Sequence, residues 1–505
     1  MSPDLPVSGQ PQFAGVGYYY SQTSDFTCGP ASLIMAMQFC RPSLNPSREM
    51  EYQIWRESNT VFMGRGHAGC NPYGLAVAAA RRGFDVKLYI HKRGGLFDGW
   101  TQDPEQQMIM QTVQELDRAL ATNMGIEIIS DATTVKNAWY DDVLNAPDVE
   151  DSETAWVILT RERNLRHWIV VTDLSVEEVV YYDPWLDRPY RQTGRIEMGR
   201  TTLEKFSRKA EIGMDKALAV IQVSFPREQA QIQLKNRYFQ SHMIPKIRPS
   251  VDLLRRNDVL KSVKMGRRFS DIAEDLLAGP RSLLKAMNTH DHTVPQDALS
   301  ALYVWRESNM IFARSSLPVC GPYGLAVTAR HHGFDVRVLA HNVESILAPT
   351  QRLGLVKRRI QTTMDHYDRF LALYHGVQIK EQFFGIEDLM RHLRAGYVIV
   401  LLVSTGAYGH WVCLVGLDGK GKDVKVKVFD PWAEAAEVTM VEVSKVERWL
   451  SAPRGKKNEN PRAAVMIGKR GHMDAEAARD GAVGVLSDMP DGFTARPHSA
   501  KGRVS

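Results

Sequence analysis

Residues 27–37 of this chain read TCGPASLIMAM, and residues 277–287 repeat the same frame as LAGPRSLLKAM. A proline at the fourth position of this frame suits the first turn of a helix, where its missing N–H is not needed. The small and apolar residues that follow favour continuation of the helix. The two segments differ at one chemically important position, because Cys28 of the first has become Ala278 in the second. The chain therefore repeats one local structure and loses one thiol.

The repeat continues beyond these segments at a constant offset of 250 residues. The matched stretches are WRESN at 55–59 and 305–309, PYGLAV at 72–77 and 322–327, and GFDV at 83–86 and 333–336. This period is too long for a solenoid and indicates a duplicated domain. With 505 residues, the chain is long enough for two such domains, each with its own core. We expect the two WRESN segments to serve packing and ion pairing, because both copies keep them.

Each copy is predicted to begin with helices and to end with an antiparallel sheet, which is an α+β organisation. In the first copy, the helical patterns cover residues 29–39, 73–82 and 107–121. The predicted strands and their counterparts in the second copy are 155–159 and 397–403, 167–171 and 410–414, 181–185 and 428–432, and 217–225 and 463–467. The predicted boundaries are copy one at 1–225, a basic linker at 226–264, copy two at 265–468 and a disordered tail at 469–505.

The composition is that of a globular protein, with 44% apolar and 24% charged residues. A net charge of +5 is small for this length and makes a nucleic-acid partner unlikely. The sequence predicts no signal peptide, because its polar N-terminus has no charged region followed by an apolar stretch. It predicts no membrane partner, because its apolar run at 397–403 is far shorter than the roughly 20 residues of a membrane helix. Five thinly spread cysteines argue against a disulfide framework and favour a reducing compartment. We therefore expect a cytoplasmic protein.

The thiol of Cys28 has the surroundings that a nucleophile needs. A cysteine at a helix N-terminus lies at the positive end of the helix dipole, which favours the reactive thiolate. His167 begins a predicted strand, and Asp183 follows 16 residues later on what reads as the neighbouring strand. A histidine base held by a carboxylate is the general partner of such a thiol. The side-chain amide of Gln22, six residues before Cys28, can join the Cys28 backbone N–H in an oxyanion hole.

These motifs resemble those of the papain-like cysteine peptidases and, more closely, of the C39-like peptidase family. The resemblance rests on QxxxxxCGP at 22–30, HW at 167–168 and DP at 183–184. A bacterial branch of that family, often encoded beside or fused to acetyltransferase and ATP-grasp ligase domains, has segments similar to residues 26–33, 55–57 and 72–76. The resemblance covers most of copy one and, more weakly, copy two.

The resemblance implies a papain-like fold and a role for each site residue. It makes Cys28 the nucleophile, His167 the base and acid, Asp183 the group that orients the histidine, and Gln22 the oxyanion donor. It implies a peptide or amide substrate, no metal and no organic cofactor, with acetyltransferase or ATP-grasp proteins as possible partners. The same covalent acyl-enzyme could be resolved by water or by an amine, so hydrolysis and amide-forming acyl transfer both stay open. A non-catalytic binding or scaffolding protein is the third hypothesis.

Copy two keeps the predicted base and its partner as His410 and Asp430. Ala278 and Ile272 stand where the nucleophile and the oxyanion donor are expected. Both losses concern the same transition state, so the sequence predicts a degenerate, non-catalytic second copy.

A second CGP tripeptide begins at Cys320, but its register argues against a nucleophile there. Cys320 aligns with Cys70, beside the repeated PYGLAV segment, and the residue six positions before it is Arg314 rather than glutamine. We therefore expect Cys320 to have no catalytic role.

Overall fold

The structure is a computed structural model. It describes residues 19–24, 26–61, 68–90, 102–130, 152–162, 165–174, 179–185, 198–201, 219–226, 277–309, 320–342, 355–404, 409–419, 421–433, 437–451 and 462–473. The predicted linker after Pro226, the predicted tail after residue 473, and Ile272 lie outside the described residues.

Copy one begins with three helices, and a strand precedes its fourth helix. Its helices are α1 (Cys28–Cys40), α2 (Arg48–Ser58), α3 (Pro72–Arg81) and α4 (Pro104–Asn123). Its strands are β1 (Asp85–Ile90), β2 (Glu127–Ile129), β3 (Ser152–Glu162), β4 (Leu165–Leu174), β5 (Val179–Tyr182), β6 (Met198–Thr201) and β7 (Ala219–Pro226).

Among the described residues, copy two follows the same order with two further helices, one before its third strand and one before its last. Its helices are α5 (Ala278–His290), α6 (Ala298–Ser308), α7 (Pro322–His331), α8 (Leu355–Tyr374), α9 (Ile386–Arg394) and α10 (Val443–Ser451). Its strands are β8 (Asp335–His341), β9 (Gln378–Glu381), β10 (Val398–Ser404), β11 (Gly409–Asp418), β12 (Lys425–Phe429), β13 (Val438–Glu442) and β14 (Arg462–Gly468), with a short 3₁₀ turn at Gly421–Asp423.

The two sheets have seven strands each and the same topology. Copy one has the order β2-β1-β7-β3-β4-β5-β6, and copy two has the equivalent order β9-β8-β14-β10-β11-β12-β13. The α+β organisation is confirmed, and the strands predicted from the sequence pair antiparallel, but one edge of each sheet has a parallel pair that the sequence analysis does not predict. There β1 pairs in parallel with β2, and β8 with β9. A helix, α4 or α8, connects the two strands of each parallel pair, and parallel neighbours need such a crossover.

The first helix of copy one is buried on nearly all sides. Eleven of the 13 residues of α1 are buried, and the helix packs against β3 and β4. This burial explains why residues 28–40 read as apolar without a clear polar stripe. The apolar cluster around α1 continues into the helices of copy two, so the helical sides of the two copies share a core.

The two WRESN segments lie at the ends of α2 and α6, and the arginine of each forms an ion pair with the other copy. Arg56 of copy one forms a two-pronged ion pair with Asp368 of α8, at 2.7 and 2.9 Å. Arg306 of copy two donates to both carboxylate oxygens of Asp117 on α4, at 3.0 and 3.1 Å. The prediction of ion pairing is confirmed. Its partners lie in the opposite copy, in an arrangement close to two-fold symmetry.

Candidate active site

The thiol of Cys28 lies at the start of α1 and is partly exposed. Ser32 holds this helix against β4, because its hydroxyl donates a hydrogen bond to the backbone oxygen of Trp168 at 3.0 Å. A Cβ atom at Gly29 would lie 3.1 Å from the Cβ of Cys70 and 3.2 Å from the Trp168 ring. Glycine at position 29 therefore lets the helix start approach the strand that carries His167.

His167 and Asp183 form the second half of the site. Nε2 of His167 lies 2.6 Å from Oδ1 of Asp183, and both side chains are buried. Asp183 follows β5, and its position is fixed by two further hydrogen bonds. The backbone N–H of Trp185 donates to Oδ1 at 2.9 Å, and the hydroxyl of Tyr19 donates to the Asp183 backbone oxygen at 2.9 Å.

The electrostatics favour a charged histidine beside the thiol. Burial lowers the pKa of His167, but hydrogen bonds with Asp183 and Cys28 outweigh it and raise the pKa to about 10. Because Asp183 engages Nε2, Nδ1 is the ring nitrogen left for the thiol. A thiol beside an imidazole that a carboxylate orients has the partners that a cysteine nucleophile needs.

Gln22 lies near the site, and its side chain bonds within its own turn. Its Nε2 donates to the backbone oxygen of Ser24 at 2.8 Å, and its backbone N–H donates to the oxygen of Pro184 at 2.9 Å. Oε1 of Gln22 is buried and has no hydrogen-bond partner among the described residues. The second hydrogen of the amide remains for an oxyanion, so that role stays a prediction.

The other four cysteines have different surroundings. Cys40, Cys70, Cys320 and Cys413 are buried, whereas Cys28 is partly exposed. Burial raises the pKa of Cys320 to about 12, and it raises the pKa of the other three buried thiols as well. A buried thiol that stays protonated is a poor nucleophile. Cys28 is therefore the thiol best suited to chemistry.

Copy two builds the same frame around Ala278. Nε2 of His410 lies 2.7 Å from Oδ1 of Asp430, which also accepts the backbone N–H of Trp432 at 2.9 Å. The hydroxyl of Ser282 on α5 donates to the backbone oxygen of Trp411 at 3.1 Å, as Ser32 does in copy one. The frame is kept without a thiol at residue 278.

Sequence reasoning missed two residues that shape the site, Tyr19 and Trp185. Trp185 had a detectable signal, because Asp-Pro-Trp recurs at 430–432. Tyr19 had none, because its contact with Asp183 spans 164 positions. Among the described residues there is no cluster of His, Cys, Asp and Glu side chains that could hold a metal, and no helix long and apolar enough to cross a membrane.

Comparison with known proteins supplies a family. The family model DUF3335, described as a Peptidase_C39 like family, matches residues 17–224 and 272–448. No curated protein matches the chain. The two matched segments correspond to the two copies and together cover most of the sequence, so the chain belongs to this Peptidase_C39 like family.

Proposed function

We propose that copy one is a cysteine hydrolase that cleaves a peptide or amide bond through a covalent acyl-enzyme. The observation that carries this proposal is a partly exposed thiol, Cys28, at the start of a helix that packs on the strand of His167, whose ring Asp183 holds at 2.6 Å. Membership of a Peptidase_C39 like family supports it, since such a family implies a papain-like fold and a thiol mechanism.

The chemistry proceeds in two stages. His167 takes the proton of Cys28, and the sulfur attacks the carbonyl carbon to form a tetrahedral intermediate. The Cys28 backbone N–H and the predicted donor Gln22 stabilise its oxyanion. The C–N bond then breaks, and His167 gives its proton to the leaving amine. In the second stage, water attacks the thioester with His167 as base, which releases a carboxylic acid and the free thiol.

Copy two is proposed to be non-catalytic. Ala278 cannot attack a carbonyl carbon, and the nearby Cys320 is buried with a pKa raised to about 12. An association with acetyltransferase or ATP-grasp proteins stays a prediction from the family resemblance.

The proposal is tested by intact-mass spectrometry after exposure of the protein to a library of short peptide thioesters. We expect one acyl adduct, on Cys28, which disappears in Cys28→Ala and persists in the matched control Cys320→Ala. Decay of the adduct in water indicates hydrolysis. Transfer of the acyl group to an added amine would instead indicate that the protein is an acyltransferase. An adduct that survives Cys28→Ala, or alkylation of Cys28 no faster than that of a free thiol, would contradict a catalytic role.

A further inference from the structure

The imidazole of His410 in copy two carries a buried nitrogen with which no described residue forms a hydrogen bond. His410 is only 3% exposed, and its Nδ1 has no hydrogen-bond partner among the described residues. Its other ring nitrogen is held by Asp430 at 2.7 Å. A buried polar atom that stays unpaired costs free energy in the folded state, and an ion or ligand that supplies the partner recovers it.

Copy one shows where this nitrogen points. The hydrogen bond from the indole of Trp168 to the Cys70 backbone oxygen is 3.2 Å long. The equivalent bond from Trp411 to Cys320 is also 3.2 Å long. The serine hydrogen bonds that hold α1 and α5 against their strands differ in length by 0.1 Å between the copies. The two histidine–aspartate distances also differ by 0.1 Å. In copy one α1 packs on β4, which carries His167, and in copy two α5 packs on β11, which carries His410, so Nδ1 of His410 is expected to face the start of α5 at Ala278.

The charges around this point favour an anion. The first turn of α5 contains no acidic residue that would offset the positive end of the helix dipole. Arg281, in that turn, stands where copy one has Ala31, and it donates to the Pro431 backbone oxygen at 3.2 Å. Lys445 is near enough to help lower the pKa of Asp430, although the hydrogen bond from His410 is the larger cause. Asp430 itself already accepts hydrogen bonds from His410 and from the Trp432 backbone.

Trp432 adds an apolar surface at the same place. Its side chain is 50% exposed, and its ring stacks on His410 at 3.8 Å with an angle of 17°. The equivalent pair in copy one, His167 and Trp185, is tilted by 45° at 5.2 Å. An exposed aromatic ring beside a buried polar group suits a ligand with one charged end and an apolar body.

We propose that copy two binds a ligand through a carboxylate, which lies between Nδ1 of His410 and the first turn of α5. A carboxylate oxygen would take the place that the sulfur of Cys28 has in copy one and would accept a hydrogen bond from Nδ1–H of His410. The rest of the ligand would pack on Trp432. Two sources share this chemistry, the C-terminal carboxylate of a peptide and a small organic acid. Binding does not depend on turnover at Cys28.

Isothermal titration calorimetry of the full chain tests the proposal with three probes, acetyl-Ala-Phe as the free acid, its C-terminal amide, and sodium acetate. We expect one molecule of the free acid to bind per chain and the amide to bind at least about tenfold more weakly, because a charge-assisted hydrogen bond is lost. Weak binding of acetate points to a peptide end, and acetate binding as tight as the peptide acid points to small organic acids. Equal binding of acid and amide, or no binding of either acid, would overturn the proposal.

Two variants locate the site. His410→Ala is expected to weaken binding of the free acid at least about tenfold, whereas His167→Ala, the matched change in copy one, should leave it unchanged. Ala278→Asp places a carboxylate of the protein itself beside His410 and should also block binding. Thermal melting and alkylation of Cys28 at the wild-type rate would show that the Ala278→Asp chain is folded. Binding that is lost in His167→Ala but kept in His410→Ala would assign the carboxylate to copy one and refute the proposal.

Discussion

The two copies hold the same frame around different chemistry. Each has a helix start seated on a strand, a histidine on that strand, and an aspartate 2.6 or 2.7 Å from its Nε2. Copy one places the thiol of Cys28 in this frame, and copy two places the methyl group of Ala278 there. The histidine–aspartate contact therefore belongs to the fold as much as to the reaction. We expect reactivity to depend on the residue at the helix start.

The largest effect is expected from removal of the thiol. Cys28→Ala should reduce turnover of a peptide or amide substrate by about 10⁴-fold or more, because no other group replaces the nucleophile. Cys320→Ala is the control, since its thiol is buried in copy two, and it should leave the rate within about twofold of wild type. Rates are measured by product release, with circular dichroism to verify folding. Equal losses in the two variants would mean that the site is not at Cys28.

The interface provides the next comparison. Arg306→Leu leaves Asp117 buried with no arginine partner and should lower the free energy of unfolding by about 3–5 kcal/mol. Burial already raises the pKa of Asp117 against the opposing influence of Arg306. Urea titration measures the change, and Arg56→Leu is the matched variant, because it removes the equivalent partner of Asp368. A loss below about 1 kcal/mol would show that Arg306 pairs weakly with Asp117.

The two arginine variants should also differ in catalytic activity. Asp117 also accepts a hydrogen bond from Asn71 at 2.7 Å, and Asn71 caps α3 beside Cys70, whose backbone oxygen holds Trp168 next to His167. Copy two has Gly321 at the place of Asn71 and lacks that side chain. We therefore expect Arg306→Leu to lower kcat more than Arg56→Leu under conditions where both are folded. Equal kcat values would show that Arg306 contributes to folding stability and not to the rate of the reaction.

The sequence predicts local structure better than it predicts partners. The helix at 28–40, the strand that carries His167 and the strand that ends just before Asp183 are visible in apolar runs and in the repeat. The ion pair of Arg56 with Asp368 is invisible, because its residues lie 312 positions apart and neither reads as unusual. The contact between Gln22 and Ser24 is missed for another reason. A side-chain amide has a nearby backbone acceptor as well as a possible oxyanion, and spacing alone does not choose between them.

A thiol added to copy two would test whether His410 can still activate a nucleophile. Ala278→Cys places a sulfur beside His410, and we expect iodoacetamide to modify it at least about tenfold faster than in the double variant Ala278→Cys/His410→Ala, because the histidine favours the thiolate. Peptide mapping by mass spectrometry distinguishes residue 278 from Cys28. A rate independent of His410 would show that the frame of copy two no longer activates a thiol.

The smallest effect concerns pH. The pKa of His167 is raised from its ordinary 6.5 to about 10, so its bonds stabilise the fold fully below pH 6.5. This contribution is lost as the pH rises through 10, where the folded imidazolium deprotonates. The gap in the free energy of unfolding between wild type and His167→Gln should therefore shrink, by about 1–3 kcal/mol, from pH 6.5 to 10. Urea titrations at several pH values measure this gap, and a constant gap would contradict a raised pKa. In Cys28→Ala, the pH range over which this stability is lost should be smaller, because one of the two hydrogen bonds that raise the pKa of His167 is missing.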